Sequence, residues 1–241
     1  KDFGALGDGQ HDDGPALQAA IRAATSQNQP LLLPAGTYRT NTQLNVPFGN
    51  PLRLVGVGWD QSKIVAGATM RAVINVPCLS GPGVAPEGGA ATPRPLEGLY
   101  IGDVSLDANS TANYSVFAPG LARSRFERVA VDHALRVGIS AGYGWCNYFE
   151  KCRFGRNYIG LHTYSAGNAI EVTDSIFEAN YGVGVYVAGG EQAMISGNTL
   201  ESNGIAIVVT DMMGVTISGN YFEANPDPSI YHTGSPVGVT L

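Results

Sequence analysis

Four segments of the chain can be laid over one another: NYFEKCRFGRN (residues 147–157), IEVTDSIFEAN (170–180), AMISGNTLESN (193–203) and VTISGNYFEAN (215–225). They close on Asn157, Asn180, Asn203 and Asn225, at spacings of 23, 23 and 22 residues. Upstream, FERVAVDHA ends at Ala134, 23 residues earlier, and LYIGDVSLDAN ends at Asn109, a further 25 earlier. A period of this length marks a solenoid, in which each repeat buries its apolar side only against its neighbours. Three residues before each close stand Leu106, Val131, Phe154, Phe177, Leu200 and Phe222; eight before stand Ile101, Phe126, Phe149, Val172, Ile195 and Ile217. Both columns are apolar in every copy, so they face inward and stack like on like. The segments are too short, and too rich in β-branched and aromatic residues, for helices. A coil of about 23 residues with strands split by turns is one rung of a parallel β-helix, with rungs ~4.8 Å apart. The closing Asn column suits a turn that needs left-handed backbone, and stacked amides can hydrogen-bond from rung to rung. A second polar column, five before the close, holds Cys152, Ser175, Asn198 and Asn220.

Ahead of the repeat, Asp13 and Gly14 suit a helix N-cap and Pro15 the first helical position. Leu17, Ala20, Ile21 and Ala24 then recur at helical spacing, predicting one amphipathic helix over 15–25. Its task is to cover the open end of the solenoid, where unpaired backbone and the apolar interior would otherwise meet water. Strands are expected at Leu31–Leu33, 52–57 and 62–65, and a long Gly-, Pro- and Ala-rich loop at 77–96. The fold class is all-β, a right-handed parallel β-helix with an N-terminal capping α-helix. Residues 1–241 form one domain, with 1–45 as the cap and first strands and 97–241 as the regular rungs. The final SPVGVTL stops in mid-rung, so the chain is expected to continue or to be covered there by another subunit.

Composition agrees with many tight turns: charged residues are only 14% of the chain, and there are 32 glycines. A net charge of −6 gives no basic footprint for nucleic acid and argues against an anionic membrane surface. No apolar run approaches the ~18–20 residues of a membrane span. The three cysteines, Cys78, Cys146 and Cys152, are odd in number with no CxxC pair, which speaks against a disulfide framework or structural zinc. They are expected to be buried small hydrophobes. His133, His162 and His232 form no spaced set for a transition metal.

The opening Asp2-Phe3-Gly4-Ala5, Gly7-Asp8-Gly9, Asp12-Asp13, Gln18 to Ile21 and Pro34 to Tyr38 resembles the start of the pectate-lyase-like β-helix superfamily. The phrase FEAN is similar to its rungs. That group includes polysaccharide lyases, glycoside hydrolases, mannuronan C5-epimerases and phage tailspike depolymerases. The resemblance implies a secreted, extracellular or virion-surface protein whose partner is a polysaccharide. It also implies that Asp8, Asp12 and Asp13 are structural parts of the cap. No cofactor is expected, although clustered carboxylates of this kind are able to hold Ca²⁺. One departure matters: epimerases and their lyase cousins share an Asp-Pro-His-Glu motif, and the nearest fragment here, Asp132-His133-Ala134, lacks the Pro and the Glu. The expected function is therefore binding and cleavage of a polysaccharide, as a lyase or glycoside hydrolase, on an outward face. The alternative is a non-catalytic glycan-binding module such as a tailspike or fibre shaft, for which a homotrimer is expected.

Candidate acids follow from the period. Two residues before each close stand Asp107, Asp132, Gly155, Glu178, Glu201 and Glu223, one step from an inward column and so facing solvent. Carboxylates ~5 Å apart on successive rungs raise each other's pKa, as a general acid requires. Asp132, Asp174, Glu178 and Glu201 are the catalytic candidates. Strand alternation puts Lys151, Arg153, Asp174 and Glu178 on one patch, where Arg153 or Lys151 could neutralise a uronate carboxylate and Lys151, His162 or Tyr164 could act as base. Aromatic residues outside the core, Tyr143, Trp145, Tyr158, Tyr164, Tyr181 and Tyr186, fall in and around consecutive turns, with the geometry of a sugar-stacking ladder. The substrate-binding candidates are Arg153, Lys151, Trp145, Tyr164 and Tyr186.

Overall fold

A computed structural model of the chain describes residues 2–78, 94–165, 167–226 and 229–233, and the backbone of 237–240. Most of the 77–96 loop lies outside the described residues. The architecture is a right-handed parallel β-solenoid of about 9 turns with one short helix. Every pairing among the described residues is parallel; the register shifts once, between Asp8 and Asp12 at the first pairing, and from Tyr100 onward the second face stays in register from rung to rung.

Each rung contributes to three faces. The first comprises Arg53–Val55, the starts of Tyr100–Asp107 and Arg125–Asp132, Trp145–Glu150, Asn168–Thr173, Ala193–Ser196 and the end of Ile205–Ser218. The second comprises Ser62–Ala66, the ends of those same two long strands, Arg153–Gly155, Ile176–Glu178, Thr199–Glu201 and Tyr221–Glu223. The third runs through Met70–Asn75, Ala112–Ala122, Val137–Tyr143, Ile159–Thr163, Val183–Gly190, the start of Ile205–Ser218 and Ile230–Thr233.

The two apolar columns fill the interior as the repeat requires. Ile101, Phe126, Phe149, Val172, Ile195 and Ile217 pair in sequence across the first face, and Leu106, Val131, Phe154, Phe177, Leu200 and Phe222 across the second. Phe154 and Phe177 stack 4.6 Å apart and 1° from parallel, and Phe126 and Phe149 lie 5.3 Å apart at 7°. Each buried phenylalanine contributes on the order of 2–3 kcal/mol of transfer free energy.

The corners depart from the sequence expectation in all copies but the first. Asn109 is itself left-handed, with φ of 51°, but in the later copies the left-handed residue is the one before the closing position: His133, Arg156, Ala179, Ser202 and Ala224 have φ of 57°, 55°, 52°, 56° and 51°. Asn157, Asn180 and Asn203 instead turn inward and are fully buried. Asn180 Nδ2 donates to Phe154 O at 3.0 Å and to Asn203 Oδ1 at 2.8 Å, while its Oδ1 accepts from the backbone N and the Nδ2 of Asn157, both at 3.1 Å. Where the corner lifts the backbone out of the sheet ladder, the amide replaces the lost partners. Asn109 does not join this stack; it is exposed, with Nδ2 on Ala66 O at 2.9 Å. The other polar column forms the same device at the corner between the first and second faces, with Cys152 N on Ser175 Oγ at 3.0 Å and Ser175 N on Asn198 Oδ1 at 3.0 Å. Cys152 is thus more than a small hydrophobe; burial pushes its thiol up to about 12.

The helix spans Gly14–Gln27, slightly longer than predicted, and buries Leu17, Ala20, Ile21 and Ala24 against the first rungs. It ends at Asn28 in left-handed geometry, whose N–H reaches Thr25 O at 3.2 Å. Asp13 makes no side-chain cap. Its buried carboxylate accepts the N–H groups of Leu6 and Gly7 at 2.7 and 3.0 Å, which ties the opening loop to the helix start. Asp8 accepts from Gln10 N and His11 N, and Asp12 from Gly14 N and Asn41 N. All three carboxylates thus serve the cap. Among the described residues no helix is long and apolar enough to cross a membrane.

Candidate functional site

Two outward columns of the second face converge on a polar cleft. In the column two before the close, Val65, Asp107, Asp132, Gly155, Glu178, Glu201 and Glu223 lie in register; beside it run Lys63, Ser105, Ala130, Arg153, Ile176, Thr199 and Tyr221. The small side chains of Ser105 and Ala130 leave a floor between the larger ones. The cleft above it, about 230 Å³, has walls from Trp59, Asp60, Lys63, Asp107, Asp132, His133, Arg153 and Arg156.

Arg153 is the hub. Its Nη2 donates to both oxygens of Asp132, at 2.9 and 2.8 Å, and its Nη1 to Glu178 Oε1 at 2.5 Å. Gly155, the exception in the acid column, makes this possible: a Cβ there would lie 2.7 Å from Asp132 Oδ1 and 3.3 Å from Arg153 Nη1. Asp132 is only 5% exposed. Burial raises its pKa from the ordinary aspartate value, with Arg153 opposing and neighbouring Asp107 adding to the rise. Next to Asp132 in the chain, His133 places Nδ1 3.0 Å from Oδ1 of Asp107, one rung earlier. His133 and Arg156 reach the cleft because both occupy left-handed corner positions, which swing them off the strand. Lys63 and Arg156 make no ion pair with any carboxylate among the described residues.

Of the sequence candidates, Asp132, Arg153 and Glu178 come together. Glu201 is in register with Glu178 but is exposed and unpaired among the described residues. Lys151 and Asp174 do not join the patch. Both are exposed corner residues with φ of 52°, and strand alternation does not carry through a corner. The aromatic residues do not form one ladder. Trp145 starts a first-face strand, 6.2 Å from Tyr143 and edge-on to it. Tyr164 and Tyr186 belong to the third face, grouped around the His162 ring, which is 5.1 Å from Tyr164 and stacks on Tyr186 at 4.5 Å. Burial pushes His162 down to about 4, so it is neutral at physiological pH. Tyr158 and Tyr181 stand on the corner between the second and third faces.

Trp59, Lys63, His133 and Arg156 are not among the sequence candidates for the site, and His133, like Arg156, is a left-handed corner residue. Arg156 sits at a corner, where alternation is silent. Trp59 and Lys63 belong to a rung whose successor, at Ser105, follows 42 residues later, so the 23-residue period does not reach them.

A solenoid with a charged cleft on one flat face is the class that fold and site define. The family model described as right handed beta helix region matches residues 101–241, and the chain belongs to that family. Residues 1–83 also match the model described as rhamnogalacturonase A/epimerase, pectate lyase-like. The chain is 40% identical over 84 residues to mannuronan C5-epimerase AlgE3 of Azotobacter vinelandii, a match covering 30% of this chain and 4% of that protein. It spans only this small fraction of its curated relative. Among solved structures, the A-module of the Azotobacter vinelandii mannuronan C-5 epimerase AlgE4 superposes at TM-score 0.59 with 17% identity, over 96% of this chain and 80% of that one. The DFA-IIIase mutant C387A of Arthrobacter chlorophenolicus A6 superposes at 0.70 with 14% identity, over 98% and 64%.

Proposed function

We propose that the second-face cleft binds a polysaccharide that carries carboxylates, and that the groups around Asp132 and His133 cleave it. The observation that carries this reading is a histidine held by a carboxylate beside two cations, Lys63 and Arg156, that have no carboxylate partner among the described residues. A uronate carboxylate seated on those cations has its adjacent C5 proton acidified, because the cations stabilise the anion that forms. With Asp107 accepting from Nδ1–H, His133 presents Nε2 as the basic nitrogen. In β-elimination Nε2 takes the C5 proton, the C4–O bond breaks, and the departing oxygen collects a proton as the C4–C5 double bond forms. The imidazolium that His133 becomes on taking the C5 proton is the proposed donor. Asp132 and Glu178 fix Arg153 over the cleft floor. The name of the curated relative, a mannuronan C5-epimerase, supports a carbohydrate ligand.

The test is incubation with alginate, polygalacturonate, hyaluronan and neutral dextran. New ends that absorb as unsaturated uronate mean elimination, and new reducing ends without that absorbance mean hydrolysis. Loss of all activity in His133→Ala, and weakened binding in a Lys63→Ala, Arg156→Ala double variant, are the expected results; full activity in both would remove this site. A non-catalytic binding module is the second reading, favoured by the way Asp132, Arg153 and Glu178 already satisfy one another. Retention of a glycan without new ends would select it.

A further inference from the structure

Two residues along the chain from the cleft walls His133 and Arg156 begins an exposed ridge that the proposed reaction does not use. The residue following each closing position is Leu135, Tyr158, Tyr181 and then Gly204, on successive rungs of the corner between the second and third faces. Leu135 is half exposed, Tyr158 is 55% exposed and Tyr181 74%. Their backbone pairs in sequence: Tyr158 N donates to Ala134 O, Tyr181 N to Asn157 O and Gly204 N to Asn180 O. The ridge is rigid at its base, and Gly182 leaves the Tyr158 ring room to lie flat, since a Cβ there would come within 3.2 Å of Tyr158 Cζ. It begins beside the cleft: Leu135 is two residues beyond His133 and Tyr158 two beyond Arg156, both of which form cleft wall.

Resting on the cleft reading above, we propose that Leu135, Tyr158 and Tyr181 form an extended subsite that carries the same anionic polysaccharide out of the cleft, sugar rings stacked on the two tyrosines. Charge selects this exit. Along the second face itself, Glu178, Glu201 and Glu223 stand in register, and Glu201 and Glu223 have no cation among the described residues, so a polyuronate is repelled there. Beside the ridge the chain supplies cations instead: exposed Arg136 follows Leu135, and exposed Arg156 stands two residues before Tyr158. The C–H face of a pyranose ring packs on an aromatic face. With rungs ~4.8 Å apart the ridge covers about 10 Å, enough for a short run of sugar rings.

Because the tyrosines are exposed, substituting them leaves the fold intact, which thermal unfolding of the variants checks. Affinity electrophoresis through alginate, polygalacturonate and dextran reads the site. Tyr158→Ala and Tyr181→Ala should each weaken retention by the acidic polymer about five- to tenfold, and Tyr→Phe should restore it. Short acidic oligosaccharides that fill only the cleft should bind all these variants equally. Parent-like retention of the long polymer by the Tyr158→Ala, Tyr181→Ala double variant, while the Lys63→Ala, Arg156→Ala variant loses it, overturns the ridge and leaves the cleft standing. No retention of any acidic polymer by the parent chain overturns both.

Discussion

At the scale of single residues, the site depends on one missing side chain. Gly155→Ala puts a methyl group 2.7 Å from Asp132 Oδ1, against the ion pair that fixes Arg153. The φ of Gly155 is not in the left-handed region, so space alone demands glycine there. The substitution should cost on the order of 1–3 kcal/mol, as overpacking does, and should lower activity beyond what lost fold explains; chemical denaturation and turnover measured together check this. Ala179→Gly is expected to go the other way. Ala179 holds φ at 52°, and relieving left-handed strain outweighs the added freedom of the unfolded chain, giving a gain of about 0.5–1 kcal/mol. Asp132 supplies a pH signature. Its folded pKa lies above the unfolded one, so the stability it contributes is complete below about pH 4 and is lost as pH rises through the folded value. Asp132→Asn has no such loss. The midpoint difference between variant and parent should therefore move in the variant's favour as pH rises from about 3, and a move the other way would mean that attraction to Arg153 outweighs burial.

At the scale of the rung, the sequence was legible wherever a side chain's direction repeats with the strand. The inward columns were read residue for residue because alternation and the 23-residue period fix both face and neighbour. Corners broke that logic. Lys151 and Asp174 were read as strand residues yet sit in left-handed corners, while Arg156 and His133 reach the cleft from such corners. Of the two roles the sequence assigns to the closing asparagine, the rung-to-rung amide ladder holds, while the left-handed backbone falls on the residue before it except at Asn109. That difference is measurable. Asn180→Ala deletes hydrogen bonds to Phe154 O, Asn203 Oδ1 and the Asn157 backbone and amide, leaving buried polar groups without partners. A loss of about 2–4 kcal/mol is expected. A loss below about 1 kcal/mol, as for an ordinary surface turn, would deny the amide this role.

At the scale of the whole molecule, the same contacts that made the period readable make stability local. Each rung touches only the rungs above and below, so stability is close to a sum of rung and interface terms. Phe177 lies at one such interface, stacked on Phe154 and paired with Leu200. Phe177→Ala should cost about 3–5 kcal/mol by leaving a cavity between rungs. Because the strands at Arg153–Gly155, Ile176–Glu178 and Thr199–Glu201 share that cavity, their amides should lose hydrogen-exchange protection first. The strands at Gly36–Thr40 and Ser62–Ala66, several rungs away and sealed by the helix, should keep theirs. Equal loss of protection in both regions would mean that the chain opens as one cooperative unit. The cleft, which spans Lys63 to Arg156, draws its walls from both regions and from the rungs between them. A graded loss would therefore make Phe177→Ala weaken activity through Arg153 and Glu178 while the Asp107–His133 pair stays in place, an outcome that cooperative opening cannot produce.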